Sequence, residues 1–273
     1  MHYHPLEVTV ENAKASLPKL RRRLLKAMGQ AIEDFTLIEA DDRVLVGLSG
    51  GKDSYTLLLL LLELQRKAPV RFELVAANLD PGYDTYQPEV VQAFAKEQGV
   101  EIHMLKAPIR EMIETKLAPG DVACPLCARI RRGTLYTLAK KIGANKLALG
   151  HHLDDALETL LMNLFYSGSL RSMPPKLVRD EGPPTVIRPL CYAMERDIAA
   201  FSVALELPTI PCASPSCGSD EGRRQVIKGV LAQLESEHPD LKHQARKALC
   251  NVDPRFLFDR ELLARITPSK EPA

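Results

Sequence analysis

A repeated pattern of buried strand followed by helix, which begins at Arg43, constrains the fold of this chain more than any other feature. Each predicted strand is a short apolar run, and the first predicted helix has leucines on every face, as expected of a buried helix. The predicted strands cover 44–48, 72–79, 101–105, 146–150 and 185–190, and the predicted helices cover 53–66, 89–98, 129–142 and 154–166. Repeated units of this kind predict an α/β fold with a parallel, doubly wound sheet and helices on both faces.

Helical flanks enclose this core in the sequence. Residues 11–26 form a predicted helix that is rich in Lys and Arg, and two further helices are predicted at 222–236 and 241–249. We therefore expect three segments. They are a basic helical segment over 1–40, a catalytic domain over 41–212, and a cysteine loop with C-terminal helices over 213–273.

Composition excludes several classes of protein. The chain of 273 residues is 45% hydrophobic and 26% charged, which is typical of a globular protein and excludes a disordered or collagen-like chain. The longest apolar run, residues 57–62, is too short to span a membrane, and the first residues lack a secretory signal. We expect a cytoplasmic protein. Because 36 Lys and Arg balance 35 Asp and Glu, a site for a polyanion must come from local clustering.

A glycine-rich string, SGGKDS, lies between the first predicted strand and the first predicted helix. It comprises Ser49, Gly50, Gly51, Lys52, Asp53 and Ser54. At this point of a parallel sheet, free backbone N–H groups and the positive end of a helix converge on an anion. The glycines allow close approach of the backbone, the lysine adds a positive charge, and the hydroxyls can donate hydrogen bonds. The string departs from the P-loop of kinases and GTPases, because Val46 stands where that motif has its first glycine.

Polar residues also follow the second and the fourth predicted strands. Asp80 follows the second strand, and the string GHHLDD follows the fourth; its residues of interest are Gly150, His151, Asp154 and Asp155. Because ligands of open α/β sheets lie at the carboxyl ends of the strands, we expect these residues to join the loop at a nucleotide site. Adjacent carboxylates at a helix start either cap the helix or, as hard oxygen ligands, help to hold Mg²⁺ on phosphates.

SGGKDS resembles the pyrophosphate loop of the ATP pyrophosphatase (PP-loop) superfamily, and GHHLDD resembles its His-x-x-Asp-Asp element. Members of this superfamily split ATP between its α and β phosphates and place AMP on a carbonyl oxygen. The resemblance implies an adenine nucleotide alpha-hydrolase-like fold, with the loop and the residues after the second and fourth strands around ATP. The implied catalytic residues are Lys52, Asp53 and Asp155.

The cysteines supply a second constellation. Cys124 and Cys127 form a C-x-x-C directly before an arginine-rich run at 129–132, and Cys212 and Cys217 follow in a loop rich in Pro and Gly. Cations of this kind stabilise thiolates and also bind RNA phosphates. Four closed thiolates would make a structural zinc site, whereas three would leave a metal position open for substrate or sulfide. The residues alone leave both alternatives open.

Further strings make the resemblance more specific. CPLCARIRRGTLY (124–136), LGHHLDDALET (149–159), MPPKL (173–177), VIRPL (186–190) and CGS (217–219) follow one another as in the tRNA 2-thiocytidine synthetases. The resemblance covers residues 19–259. It implies an enzyme that uses ATP and Mg²⁺ to adenylate the C2 carbonyl oxygen of a cytidine in the tRNA anticodon loop. Sulfur then replaces this oxygen, and the product is 2-thiocytidine.

The same resemblance implies a 4Fe-4S cluster held by three cysteines, which correspond here to Cys124, Cys127 and Cys217. The iron without a protein ligand would present hydrosulfide as the nucleophile. The chain departs from the family pattern in the third-ligand loop. Cys212 lies five residues before Cys217 instead of the usual three, and Asp220 replaces a Gln. Cys212 is therefore the alternative third ligand.

The expected partners follow from the same family. The substrate is a tRNA whose target base is splayed from a single-stranded loop, because a base edge inside a duplex cannot reach the nucleotide. A sulfur donor, either sulfide or a cysteine desulfurase, and a homodimer are expected, and no membrane is involved. The candidate tRNA contacts are Arg21, Arg22, Arg23, Arg129, Arg131, Arg132, Arg223, Arg224 and Lys228.

Two alternatives fit parts of the pattern. A related PP-loop ligase would keep the adenylation but use an amine as the nucleophile, or it would convert uridine to 2-thiouridine. A non-catalytic, zinc-stabilised RNA-binding module would use the cysteines as a structural site. An iron–sulfur protein is brown and absorbs near ~400 nm, whereas a zinc protein is colourless.

Overall fold

The computed structural model describes residues 10–116, 124–211 and 222–266. The first half consists of α1 (Val10–Phe35), β1 (Arg43–Gly47), α2 (Lys52–Lys67), β2 (Glu73–Asp80), α3 (Pro88–Glu97), β3 (Ile102–Lys106), α4 (Ile109–Lys116) and α5 (Cys124–Ile142). The second half consists of β4 (Lys146–Ala148), α6 (Leu153–Tyr166), β5 (Lys176–Leu177), β6 (Thr185–Ile187), α7 (Glu195–Ala204), α8 (Arg223–Glu237), α9 (Leu241–Leu249), a 3-10 helix (Pro254–Phe256) and α10 (Arg260–Ile266). No helix within these ranges has the length and apolar character that crossing a membrane requires.

The six strands form one sheet in the order β3-β2-β1-β4-β6-β5. All neighbouring strands are parallel except β5, which pairs antiparallel with β6. In the central strand, Leu45 lies in register with Val75 of β2 and with Leu147 of β4. The chain therefore runs outward in one direction from β1 to β3 and in the other from β4 to β5. Open α/β sheets bind their ligands at such a reversal, here between β1 and β4.

Both faces of the sheet are covered by helices. Val44 and Val46 point to one face, where they belong to a buried cluster with side chains of α1, α2, α3 and α7. Leu45 points to the opposite face and packs with Leu135 and Leu138 of α5. This alternation is the period-2 pattern of a strand that is buried on both sides. The predicted doubly wound α/β fold is confirmed, with one short antiparallel strand at its edge.

Some element boundaries differ from the prediction. The sequence predicted a helix from residue 129, whereas α5 begins at Cys124, so the C-x-x-C lies on the first helical turn rather than in a loop. The short helix α4 was not predicted, because its residues are mostly polar and bury only Ile109. The helix α7 was also not predicted, and its first residue is Glu195.

The C-terminal helices pack against α6. Ile227 and Leu231 of α8 join Leu153 and Leu157 of α6 in a small apolar cluster, and α9 contributes partly buried side chains to it. Because α6 directly follows β4, this packing brings α8 and α9 close to the carboxyl ends of the central strands.

Candidate active site

The loop between β1 and α2 is built around Gly50, whose φ is +85°. A Cβ at this position would come within 3.0 Å of Cδ1 of Ile210, so both conformation and space favour glycine. Ser54 Oγ accepts a hydrogen bond from Ser49 N at 3.1 Å and donates one to Gly51 O at 2.9 Å. These bonds close the loop. Because α2 begins at the next residue without a side-chain cap, its positive end is open to an anion.

The end of β4 packs directly on the first turn of α2. A Cβ on Gly150 would come within 3.0 Å of the carbonyl carbon of Asp53 and 3.1 Å of the amide nitrogen of Ser54. Both are backbone atoms, so a side chain at this position would push the two elements apart. The structure thus brings the SGGKDS loop and the GHHLDD string together.

His152 caps α6. Its Nδ1 accepts a hydrogen bond from Asp155 N at 3.4 Å, while Asp155 Oδ2 accepts one from His152 N at 3.0 Å. This reciprocal pair is a capping box. Asp155 also lines the cavity described below, and its Oδ1 lies 3.9 Å from Nη2 of Arg224. Asp155 therefore caps the helix with one oxygen and leaves the other beside the cavity.

Asp154 is oriented differently from Asp155. Its Oδ1 accepts a hydrogen bond from Lys242 Nζ at 2.6 Å, and its Oδ2 accepts one from Glu195 N at 2.7 Å. The side chain is buried, and of the two adjacent carboxylates only Asp155 lines the cavity. Asp154 therefore connects α6 with α7 and α9.

Lys52 lies between two carboxylates. Its Nζ is 3.1 Å from Asp53 Oδ1 and 3.2 Å from Glu195 Oε1. Burial lowers the pKa of Lys52, but the two carboxylates outweigh burial, so the pKa is raised above its ordinary value. Burial raises the pKa of Glu195, but a hydrogen bond from Lys228 and the charge of Lys52 lower it to about 2. The sequence analysis missed Glu195, which lies 143 residues from its partner in the loop.

His151 lines the cavity as a neutral imidazole. Burial, followed by the positive charge of Arg188, lowers the pKa of His151 to about 4. Its Nδ1 is buried and has no hydrogen-bond partner among the described residues. Arg188 in turn joins the VIRPL and MPPKL strings, because its Nη1 donates to the carbonyl oxygen of Pro174 at 2.6 Å. A neutral imidazole keeps one nitrogen as a hydrogen-bond acceptor for a ligand.

A cavity of about 600 Å³ lies where these elements meet, a volume in the usual range for small-molecule and cofactor sites. Its walls come from the loop, the ends of β1, β2 and β4, and the helices α5 and α8. Its polar and charged wall residues include Ser49, Asp53, Arg131, Arg132, Asp155 and Arg224. Nε of Arg131 is buried and forms no hydrogen bond with a described residue, and Nδ1 of His151 is in the same state. Unsatisfied buried groups of this kind fit a site that a polar ligand completes.

The C-x-x-C directly precedes a wall residue of this cavity on α5. Cys124 and Cys127 are three residues apart in the first turn of α5. Cys127 is partly buried, and the next residue, Ala128, is part of the cavity wall. The side chain of Cys124, and Cys212 and Cys217 entirely, lie outside the described residues. Within the described ranges, no three His, Cys, Asp or Glu side chains converge as a metal site would require.

Asp80 lies at the end of β2, where its Oδ1 accepts a hydrogen bond from Gly82 N at 2.8 Å. The preceding residue, Leu79, lines the cavity. Asp80 therefore stabilises the turn after β2 at the border of the site.

The three predicted groups of cations have different surroundings. In α1, Arg21 lies 3.2 Å from Glu63 and Arg23 lies 2.7 Å from Asp197. The arginines of α5 at positions 131 and 132 line the cavity instead. Of the α8 cations, Arg224 lines the cavity, and its Nε is 3.0 Å from a glutamate oxygen of α6. The α1 cations are thus partly compensated within the chain.

A family model described as a PP-loop domain matches residues 18–209. The tRNA-cytidine(32) 2-sulfurtransferase of Marinobacter nauticus is 48% identical over 250 residues, which cover 91% of this chain and 82% of that protein. The chain belongs to the tRNA-cytidine(32) 2-sulfurtransferase family. The member of this family from Geobacter sulfurreducens is 46% identical over 241 residues, covering 88% of this chain and 94% of that protein. The family predicted from the sequence strings is confirmed.

A solved structure shares the fold of this 2-sulfurtransferase family member. The U34-tRNA thiolase NcsA from Methanococcus maripaludis, solved with its 4Fe-4S cluster, superimposes with a TM-score of 0.69. The match covers 92% of this chain and 89% of that protein, at 22% sequence identity. At this identity the likeness establishes the common fold.

Proposed function

We propose that this chain is an ATP-dependent tRNA sulfurtransferase, which adenylates the C2 oxygen of an anticodon-loop cytidine and replaces this oxygen by sulfur to give 2-thiocytidine. One observation carries the proposal. The SGGKDS loop, the GHHLDD string and the helical turn that follows the C-x-x-C all border one cavity. A nucleotide, a metal-held sulfur and a flipped base would therefore meet at one place. The relatives, which are tRNA-cytidine(32) 2-sulfurtransferases, support the choice of tRNA and of cytidine.

ATP would bind with its phosphates on the loop, where Ser49, Gly50, Gly51 and Ser54 supply backbone N–H groups and hydroxyls. Lys52 stabilises the negative charge that develops as pyrophosphate leaves. The step forms a bond between the C2 oxygen and the α-phosphorus and breaks the bond between the α and β phosphates. Because a carbonyl oxygen is a poor leaving group, this adenylation allows it to depart as AMP when sulfur attacks C2.

Asp53 and Asp155 would hold Mg²⁺ on the phosphates, since each presents a carboxylate to the cavity and hard cations prefer such oxygens. The other predicted nucleotide residues act less directly. Gly150 keeps β4 close to α2, and His151 offers a neutral acceptor to the ligand. Asp154, which is already bonded on both oxygens, holds the GHHLDD element in place. Asp80 shapes the turn at the border of the site.

Cys124, Cys127 and Cys217 would hold the 4Fe-4S cluster, with Cys212 as the alternative third ligand. The first two belong to one turn of α5, and iron–sulfur clusters prefer thiolate ligands of this kind. When bound, the cluster supplies an iron with a position open to sulfide. The cations of α5 that follow the C-x-x-C favour thiolates over thiols and attract the RNA backbone.

The partners and the domain division complete the proposal. Sulfide, supplied free or by a cysteine desulfurase, would be the sulfur source, and the protein would act in the cytoplasm. We propose that the chain forms a homodimer, which would cover the exposed stripe of Val226, Val230 and Leu234 on α8 and the exposed Phe256 and Phe258. The basic segment 1–40 and the C-terminal segment 213–273 would flank the catalytic domain 41–212.

The proposal is tested by nucleoside mass spectrometry of tRNA incubated anaerobically with the reconstituted chain, ATP and sulfide. We expect 2-thiocytidine with the unmodified chain and none with Cys127→Ala. Cys250→Ala is the matched control, because Cys250 is exposed and is not part of the cavity wall. A 2-thiouridine product, or a product unaffected by Cys127→Ala, would favour a related ligase. A colourless, zinc-containing protein without product would favour the RNA-binding module.

A further inference from the structure

Glu195, the first residue of α7, connects the loop with the C-terminal helices. Its Oε1 accepts a hydrogen bond from Lys52 Nζ at 3.2 Å, and its Oε2 accepts one from Lys228 Nζ at 2.8 Å. Its backbone N–H donates to Asp154 Oδ2 at 2.7 Å. One carboxylate therefore holds a lysine of the loop on one oxygen and a lysine of α8 on the other.

Lys52 does not need Glu195 to remain charged. A lysine with its ordinary pKa of ~10.4 is already protonated at neutral pH. What the side chain lacks is a fixed direction, because its ammonium is a compact charge at the end of a flexible four-carbon stem. Asp53 and Glu195 together restrain this ammonium, and its three donors leave one for a phosphate oxygen. The contribution of Glu195 is therefore geometric.

Glu195 takes its own position from α8. Ile227 and Leu231 anchor α8 in the apolar cluster on α6, and Arg224 Nε is 3.0 Å from Glu158 Oε2. Lys228, one helical turn after Arg224, is thus presented by a helix that is fixed on both sides of it. Glu195 is thus held by its own backbone bond to Asp154 and by a lysine of an anchored helix, and from this position its carboxylate restrains the ammonium of Lys52.

We propose that Glu195 is a positioning residue for the adenylation step, which directs Lys52 toward the phosphates and is itself held by Lys228 of α8. The inference rests on the proposed function, since it requires a nucleotide on the loop. A carboxylate so close to Lys52 also repels a bound phosphate and competes for the ammonium. Its removal should therefore strengthen pyrophosphate binding and slow the reaction, a pair of effects that simple loss of structure does not produce.

The test uses Glu195→Gln, which removes the charge and keeps the shape. By calorimetry with the full chain, we expect pyrophosphate to bind about three-fold more tightly. With tRNA and ATP, we expect kcat for pyrophosphate release to fall about ten-fold, as for one charge-assisted contact used in the transition state. Asp197→Asn is the matched control, because Asp197 lies on the same helix but pairs with Arg23 of α1. The folded Asp197→Asn protein should keep the pyrophosphate affinity and the kcat of the unmodified chain. Glu195→Asp should recover part of the kcat that Glu195→Gln loses.

Lys228→Met tests the connection to α8. We expect a smaller fall in kcat, and the double variant E195Q/K228M should be no slower than E195Q. If the two losses multiply, Lys228 acts independently and the link is refuted. Unchanged values for E195Q, or a parallel loss of pyrophosphate binding and kcat, would also overturn the inference. An unmodified chain that binds pyrophosphate but makes no thiolated product would instead refute the proposed function, and the calorimetry would still test Glu195.

Discussion

The loop side of the cavity is assembled from closely packed backbone, whereas the C-terminal side combines an apolar cluster between α8 and α6 with charged side chains that reach α6 and α7. On the loop side, a Cβ at Gly150 would press on backbone atoms of Asp53 and Ser54, and Gly50 adopts a positive φ. On the C-terminal side, α8 and α9 reach α6 and α7 through pairs such as Lys242 with Asp154 at 2.6 Å and Lys228 with Glu195 at 2.8 Å. Backbone packing fixes one geometry, while ion pairs can exchange partners when a polyanion arrives. The difference suits a rigid phosphate site beside an adaptable RNA site.

Gly150→Ala should disturb the geometry of the loop side and slow the adenylation step. Its Cβ would meet the Asp53 carbonyl carbon at 3.0 Å, so β4 and the first turn of α2 must separate. A misplacement of ~1 Å at a reacting centre costs about 100-fold in rate, and this contact demands a shift of a few tenths of an ångström, so we expect pyrophosphate release to slow by up to about ten-fold. Gly133→Ala on α5 is the control, since nothing lies within 4 Å of its added Cβ. Equal activity of Gly150→Ala and Gly133→Ala would show that the backbone contact at Gly150 does not determine the geometry of the loop side.

Lys242→Met should weaken the C-terminal side selectively. It removes the cation from the Asp154 carboxylate, whose side chain is only 6% exposed. We expect the free energy of unfolding to fall by about 2 kcal/mol, since breaking a buried ion pair leaves a charge without compensation. Hydrogen exchange should show α8 and α9 opening first, with pyrophosphate binding retained. Lys247→Met, at an exposed position of the same helix, should have no such effect. Equal loss of protection in α2 would show that the two sides open together.

The sequence predicted the two sides unequally well, for a physical reason. SGGKDS and GHHLDD are contiguous strings at strand ends, so the chemistry and the position of the loop side follow from local pattern. Glu195 and Lys242 act through partners 143 and 88 residues away, and no local pattern marks such pairs. The sequence analysis placed both Asp154 and Asp155 at the nucleotide site, whereas only Asp155 lines the cavity. Adjacent helical residues point about 100° apart, and here only Asp155 faces the cavity while Asp154 faces α7 and α9.

As the pH falls, the stabilising contribution of His151 on the loop side should be lost before that of Glu195 on the C-terminal side. Burial and the charge of Arg188 lower the pKa of His151 to about 4, whereas an unfolded histidine titrates near ~6.5. The unfolded chain therefore takes up the proton first, and stability falls as the pH drops from ~6.5 toward 4, by about 1 kcal/mol between pH 7 and ~5.5. Burial raises the pKa of Glu195, but its lysines lower it to about 2, so its contribution persists until the pH falls below 4.5.

Urea unfolding across this pH range, with His151→Gln as the comparison, measures the difference between the two groups. The Gln variant should lose less stability between pH 7 and ~5.5, by about the 1 kcal/mol assigned to His151. An identical pH dependence in both proteins would show that His151 titrates normally and that the loop side has no early acid sensitivity.

The smallest expected effects concern RNA binding. If the C-terminal side meets the RNA, Arg223 should contribute more than Arg21, because Arg223 is exposed on α8 while Arg21 lies 3.2 Å from Glu63. Filter binding of tRNA at several salt concentrations should show that the slope of log K against log salt concentration becomes less steep by about 0.7 for Arg223→Gln. Arg21→Gln should leave the slope unchanged and the affinity within about two-fold, since its charge is already partly compensated. If Arg21→Gln weakened tRNA binding more than Arg223→Gln, the RNA would lie along α1. The ion pairs of the C-terminal side would then have no role in RNA binding.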